Sequence, residues 1–313
     1  MRMNRTLSVI LVPALIISSF GACKQKSKKV AVKKDTAATM VAHKVTQPAK
    51  FQLMKKAPGQ PSNPAFDSAM KAGVDKAEAK DYQGALAEFD KAVKINPNNF
   101  EAHYNRGKAR NELKLYTGAI NDFGRAIRLK PNFAPAYNYR GVAKAFLNYP
   151  ADAIKDYDTA ISLDPNYAGA YYDRGLAYAT LRKYDEAIAD FDKAIVKKPD
   201  YAEAYNNRGN AKALNKDWDG AISDYTKSIE LDDGNAEAFN NRGAVEKAQK
   251  KYKEAIKDFN QAIKIKPQYA DAFYNRGLAK YNSNDPKGAC KDWQQALDLG
   301  LSEAQKLLDQ YCK

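Results

Sequence analysis

Residues 134–167 read APAYNYRGVAKAFLNYPADAIKDYDTAISLDPNY, and residues 168–201 read AGAYYDRGLAYATLRKYDEAIADFDKAIVKKPDY. Laid over one another without a gap, both put Arg-Gly at positions seven and eight and Ala at twenty. Both also put Asp and an aromatic at twenty-three and twenty-four, Ala at twenty-seven and Pro at thirty-two. The same 34-residue step carries glycine through Gly73, Gly107, Gly141, Gly175, Gly209, Gly243 and Gly277. Alanine follows at Ala85, Ala119, Ala153, Ala187, Ala221, Ala255 and Ala289, and an aromatic four residues later at Phe89, Phe123, Tyr157, Phe191, Tyr225, Phe259 and Trp293. Seven units follow, 66–99, 100–133, 134–167, 168–201, 202–235, 236–269 and 270–303, with no insertion in the register.

Steps of four and three put the alanine, the aromatic and the next small residue on one helical face. Glycine at position eight lets a second helix lie close to the first, with the aromatic filling the space beside it. Proline near the end of a unit (Pro97, Pro131, Pro165, Pro199, Pro267) stops the second helix and turns the chain. Unit five has Asp233-Gly234 there instead, and the expectation is a glycine in left-handed conformation closing the helix. Residues 302–313 do not begin another unit. Ala304, Leu307, Leu308 and Tyr311 form an apolar stripe, so the segment reads as a capping helix with a wet outer face.

The small residue at eight, Ala at twenty, aromatic at twenty-four, small residue at twenty-seven and Pro at thirty-two resemble the tetratricopeptide repeat over residues 66–303. That resemblance implies an all-α solenoid, a right-handed superhelix of seven helix-turn-helix repeats plus the capping helix. Pro150 and Pro286 depart from its aromatic at position seventeen, at the entry to second helices where proline is tolerated. In this family positions two, five, six, nine, twelve and thirteen line a concave groove that binds a protein or peptide. At five and six this chain has Tyr104, Asn105, Asn138, Tyr139, Tyr172, Asp173, Asn206, Asn207, Asn240, Asn241, Tyr274 and Asn275. Asparagine donates and accepts at once, so a row of them suits an extended main chain of any sequence. Tyrosine adds apolar area at low entropic cost. The plainer alternative is that these residues only solvate a helix face. The lysine at position five that the family's carboxylate clamp requires is missing from every repeat, which argues against a chaperone-tail binder.

Position seven is arginine in units two to seven, and position twenty-three of the same units is aspartate. An antiparallel hairpin that pairs eight with twenty-four brings these together, so a ladder of Arg–Asp pairs is expected, against the alternative of an anion-binding row. Cys290 and Cys312 lie at equal offsets from the turn near Gly300 and Leu301. They are expected to form a disulfide in an oxidising compartment, two separate thiols being the alternative. No metal-ligand spacing, phosphate loop or nucleophile motif stands out, so the chain reads as a non-enzyme with no cofactor.

The 313 residues carry a net charge of +14. Residues 1–65 hold twelve of the Lys/Arg and one acid, Asp35; residues 66–313 are left with a net of +3. The basicity therefore belongs to the leading segment, which favours a basic tether near a membrane over nucleic-acid binding. Arg2 and Arg5, then an apolar run from Thr6 to Phe20, read as a secretory signal over 1–22, too short for a membrane span. Gly21-Ala22-Cys23 resembles a bacterial lipobox with Phe20 in place of its usual leucine, which implies lipidation at Cys23. Lys24, at the position that would carry a retention aspartate, favours an outer-membrane lipoprotein facing the periplasm. Two alternatives stay open: a plain secreted protein, or an uncleaved inner-membrane anchor with cytoplasmic repeats, to which the lysines after the apolar run point. Residues 23–65 have no hydrophobic period and read as a disordered tether reaching on the order of 35 Å. Partner identity and oligomeric state leave no mark in the sequence.

Overall fold

The computed structural model describes Phe51, Leu53 and residues 63–312, in two compact units that meet in sequence at Lys197 and Lys198. The signal segment and Cys23 lie outside the described residues. Every described element is a helix. The first unit holds α1 (Pro64–Glu78), α2 (Tyr82–Ile95), α3 (Phe100–Glu112), α4 (Tyr116–Leu129), α5 (Ala134–Phe146), α6 (Pro150–Leu163), α7 (Ala168–Thr180) and α8 (Tyr184–Lys197). The second holds α9 (Ala202–Leu214), α10 (Trp218–Leu231), α11 (Ala236–Ala248), α12 (Tyr252–Ile265), α13 (Ala270–Asn282), α14 (Pro286–Asp298) and α15 (Glu303–Tyr311). Within each unit consecutive helices pack as antiparallel hairpins, and each hairpin packs on the next. This is the all-α repeat architecture that the 34-residue step dictates.

The position-eight glycines explain the closeness of each hairpin. A Cβ placed on Gly141 would sit 2.6 Å from Cε1 of Tyr157, and one on Gly73 would sit 2.5 Å from Cε1 of Phe89. The aromatic therefore lies directly on the glycine, with no room for a methyl group. The rings of Phe89, Phe123, Phe191, Tyr225, Phe259 and Trp293 are fully buried, and the facing alanines Ala85, Ala119, Ala187, Ala221, Ala255 and Ala289 with them.

Between the two helices of every hairpin the chain turns through one residue with positive φ, and none of the seven is glycine: Lys80, Lys114, Asn148, Arg182, Lys216, Lys250 and Asn284. In the first, Lys80 N–H donates to the Ala77 carbonyl (3.0 Å) and Asp81 N–H to the Lys76 carbonyl (2.9 Å). That pair of bonds closes the helix end and outweighs the cost of the conformation for a side-chain-bearing residue. The expectation for Gly234 is corrected: the only described glycine with positive φ is Gly300, at the turn into α15. At Gly234 the amide instead donates to Asp232 Oδ1 (3.1 Å), so the carboxylate closes this turn.

Candidate partner-binding face

The arginine row is committed inside the hairpins. Nε and Nη2 of Arg106, Arg140, Arg174, Arg208, Arg242 and Arg276 donate to the two oxygens of Asp122, Asp156, Asp190, Asp224, Asp258 and Asp292. The forked guanidinium matches the carboxylate, and the six aspartates are buried. Nη1 is left to reach the second helix of the preceding repeat: Arg106 to Asp90 (2.9 Å), Arg242 to Thr226 Oγ1 (3.0 Å) and Arg276 to Asn260 (2.6 Å). Arg106, Arg242 and Arg276 thus each tie two repeats together, and all six guanidinium forks are taken by carboxylates rather than left as an anion-binding row. A second cation at position eleven joins the same carboxylate from Arg110, Lys144, Lys212 and Lys280. Repeat six has Glu246 there, and burial, with Asp258 nearby, pushes its carboxyl up to about 7. Repeat one, which lacks the Arg–Asp pair, uses Lys76 and Glu88 instead (2.8 Å).

The twelve Asn, Tyr and Asp side chains at positions five and six form a less open surface than their residue types suggest. In the first unit Tyr104 is packed edge-on against Phe133 and Tyr139, with ring centroids 5.0 and 5.8 Å away. Tyr139 stacks on Phe123 at 6.0 Å, and Tyr172 lies 5.8 Å from Phe191. Asn138 Nδ2 donates to Asp173 Oδ2 (2.9 Å), joining the first helices of successive repeats. Burial pushes the Asp173 carboxyl up to about 7 against the pull of that bond.

In the second unit the amides form a ladder. Asn241 Nδ2 donates to Asn210 Oδ1 (3.0 Å), which also accepts from the Tyr225 hydroxyl (2.9 Å). Asn275 Nδ2 donates to Asn240 Oδ1 (3.3 Å), and Lys247 Nζ to Asn275 Oδ1 (2.8 Å). Asn207 Nδ2 turns back to the Glu203 carbonyl (2.9 Å), Asn206 is buried, and Tyr274 joins the apolar cluster around Trp293. Burial brings the Lys247 amine down to about 7. Much of the row therefore links repeat to repeat. Left over are buried polar atoms without a hydrogen-bond partner among the described residues: in the row, both amide atoms of Asn105, Oδ1 of Asn138 and Oδ1 of Asn206, and, at position two of repeat seven, Oδ2 of Asp271.

Three further features complete the picture. Cys290 and Cys312 are joined by a disulfide with Cα atoms 5.7 Å apart, holding the end of α15 against α14. Tyr311, beside it, packs against Tyr281 and Trp293 at 4.6 and 6.0 Å between ring centroids. Phe51, within the segment 23–65 that reads as a disordered tether and lies mostly outside the described residues, is 4% exposed and stacks on Phe89. No periodicity marks it, because it lies outside the repeats. Among the described residues no cluster of His, Cys, Asp and Glu could hold a metal, and no helix is long and apolar enough to cross a membrane.

Paired helices on a 34-residue step, stitched by arginine and lined by buried amides, define a helical-repeat protein of the class that serves as a scaffold for protein contacts. The chain belongs to the tetratricopeptide repeat family: profiles described as TPR repeat match residues 76–114 and 243–284, and profiles described as tetratricopeptide repeat match 100–133, 140–202 and 172–236. A tetratricopeptide repeat protein from Parabacteroides merdae is similar in fold, with a TM-score of 0.61 and 19% identity over 80% of this chain and 100% of that one. PilW, described as a type IV pilus biogenesis factor, gives a TM-score of 0.61 at 22% identity, covering 67% of this chain and 97% of its own. YrrB, described as a TPR protein with an unusual peptide-binding site, gives 0.51 at 24%, covering 60% and 97%. Comparison with curated proteins gives no match.

Proposed function

We propose that this chain is a non-catalytic interaction scaffold of the bacterial cell envelope, whose first-helix face receives a peptide segment or a segment of a folded partner. The observation that carries the reading is the set of buried, unpartnered polar atoms on first helices of each unit: Asn105 and Asn138 in the first, Asn206 and Asp271 in the second. A buried acceptor without a donor costs about 1–3 kcal/mol. The N–H groups of an extended main chain would supply those donors without demanding a particular side-chain sequence, and water would stand in for them in the free protein.

The envelope assignment rests on the Gly21-Ala22-Cys23 sequence, and the 5.7 Å between the Cα atoms of Cys290 and Cys312 is a spacing that allows the disulfide an oxidising compartment would keep. A lipid on Cys23 would anchor the chain at the outer membrane with the repeats in the periplasm. Metabolic labelling with a palmitate analogue tests the anchor: label should enter the wild-type chain and vanish in Cys23→Ser. Equal labelling of both, or none in either, removes it. For the binding face, the immobilised full chain should retain envelope proteins that Asp271→Lys no longer retains while its helical content is unchanged. Identical retention by the two would remove the first-helix face from the account.

A further inference from the structure

Phe51 lies thirteen residues before the first helix, yet its ring is as well packed as the repeat's own aromatics. It stacks on Phe89 with centroids 6.1 Å apart and planes 8° from parallel, and lies 6.4 Å from Tyr82. It belongs to the same cluster as Met70, Val74 and Ala109. Above it, Lys108 Nζ is 4.1 Å from the ring centroid, and 5.2 and 5.9 Å from those of Tyr104 and Tyr139. Lys108 holds position nine of repeat two, on the face that carries the candidate row.

The next repeat shows what Phe51 replaces. There the position-twenty-four ring, Phe123, is covered by Tyr139, from position six of the following repeat, at 6.0 Å and 25°. One step earlier, position six is Asn105, which cannot cover Phe89 in that way. Asn105 is 1% exposed, and neither of its amide atoms has a hydrogen-bond partner among the described residues. Over Phe89 there is thus a seat that takes one aromatic ring, as Tyr139 sits over Phe123, capped by an ammonium group and next to the Asn105 amide, which could hold a main chain. A residue from outside the repeats fills it.

We propose that the seat formed by Phe89, Tyr82 and Lys108 is a subsite for one aromatic side chain of an extended peptide, and that Phe51 is its intramolecular occupant. The proposal rests on the first-helix face being the binding face. It adds that a partner reaches the seat by displacing the chain's own Phe51, and that the partner segment carries a phenylalanine-like residue there. A single tethered side chain is suited to this role. Tethering supplies an effective concentration on the order of millimolar, so a weak anchor stays seated until a peptide with more contacts competes. Burial that brings the Lys108 amine down to about 8 fits a cation held against rings rather than in water.

The test reads the ε-methylene resonance of Lys108 in the full chain, labelled at lysine with carbon-13. A ring 4.1 Å from Nζ should shift it upfield. Phe51→Ala should move it downfield by the share that Phe51 contributes, leaving the smaller shift from Tyr104 and Tyr139. A peptide of residues 46–56, added at millimolar concentration to that variant, should restore the upfield shift, and the same peptide with alanine for Phe51 should not. Wild-type chain should respond at least tenfold less to the peptide, because its seat is taken. If Phe51→Ala loses helical content, Phe51→Leu keeps an apolar side chain without a ring current and serves in its place. An unchanged resonance in the variant would show that Phe51 is not seated there. A lost shift that no peptide restores would make Phe51 a fixed part of the core, and either result overturns the proposal. No partner is needed, so failure of this experiment is distinct from failure of the scaffold reading.

Discussion

Removing Arg242 should cost far more than removing Arg276, although the two occupy the same position in adjacent repeats. Arg242 donates to both oxygens of Asp258, at 2.7 and 2.8 Å, and Asp258 is 6% exposed. The only other charged side chain the repeat offers this carboxylate from position eleven is Glu246, itself an acid with Oε2 buried and unpartnered. Arg242→Ala therefore leaves a buried carboxylate beside a second carboxyl, and breaking such a pair from one side costs about 3–5 kcal/mol. In repeat seven Arg276 makes the same fork to Asp292, but Lys280 Nζ lies 2.8 Å from that carboxylate and remains after Arg276→Ala. The loss there is the difference between two cations and one, about 1–2 kcal/mol. Glu246→Lys, which gives repeat six the position-eleven cation of its neighbours, should recover roughly half of the Arg242→Ala loss by the same reasoning. Tandem repeats open in segments, so the assay is native-state hydrogen exchange resolved to α11–α12 and α13–α14. Equal losses for the two alanine variants, or no recovery with Glu246→Lys, would refute the claim that the buried carboxylates are what the arginines serve.

Three further predictions follow from the same geometry. Gly141→Ala forces a Cβ to 2.6 Å from the Tyr157 ring, whereas in Gly243→Ala the nearest atom is 3.0 Å away. Overpacking of about 1–3 kcal/mol against a helix-propensity gain of about 1 kcal/mol makes the first the more destabilising of the two, and equal urea midpoints would contradict this. Lys250→Gly removes the cost of a side chain at φ 63° and should stabilise by about 0.5–1 kcal/mol, read as a rise in Tm. Lys247 has its amine brought down to about 7 by burial from an ordinary 10.5, so between those values the unfolded chain binds the extra proton. Stability should then rise with pH from about 7 towards 10.5, and Lys247→Met should flatten that part of the curve; parallel curves would mean the amine is solvated.

The repeat, its hairpins and the arginine ladder were legible because each rests on spacing alone: 34 residues between glycines, sixteen between each Arg and its Asp. The turns were not, since Lys80 or Arg182 carries no sign of positive φ, while Gly234, whose residue type favours it, does not adopt it. The candidate row was legible as a face but not as an environment. A helical wheel puts Asn240 and Asn275 on one side; only packing between successive first helices shows that they bond to each other. Phe51 was the least accessible feature. A lone aromatic in a basic, Pro-containing stretch has no period, and nothing in the repeat pattern marks Phe89 as the ring it stacks on.

If a partner sits on the first-helix face, site-specific photo-cross-linking in living cells should capture it there. A photoreactive residue at Glu203, partly exposed at position two of α9, should give a discrete adduct with a cellular protein. One at Lys227, exposed on the second helix α10 of the same repeat, should give none. Adducts from Lys227 with Glu203 silent would place the partner on the opposite surface and contradict the account.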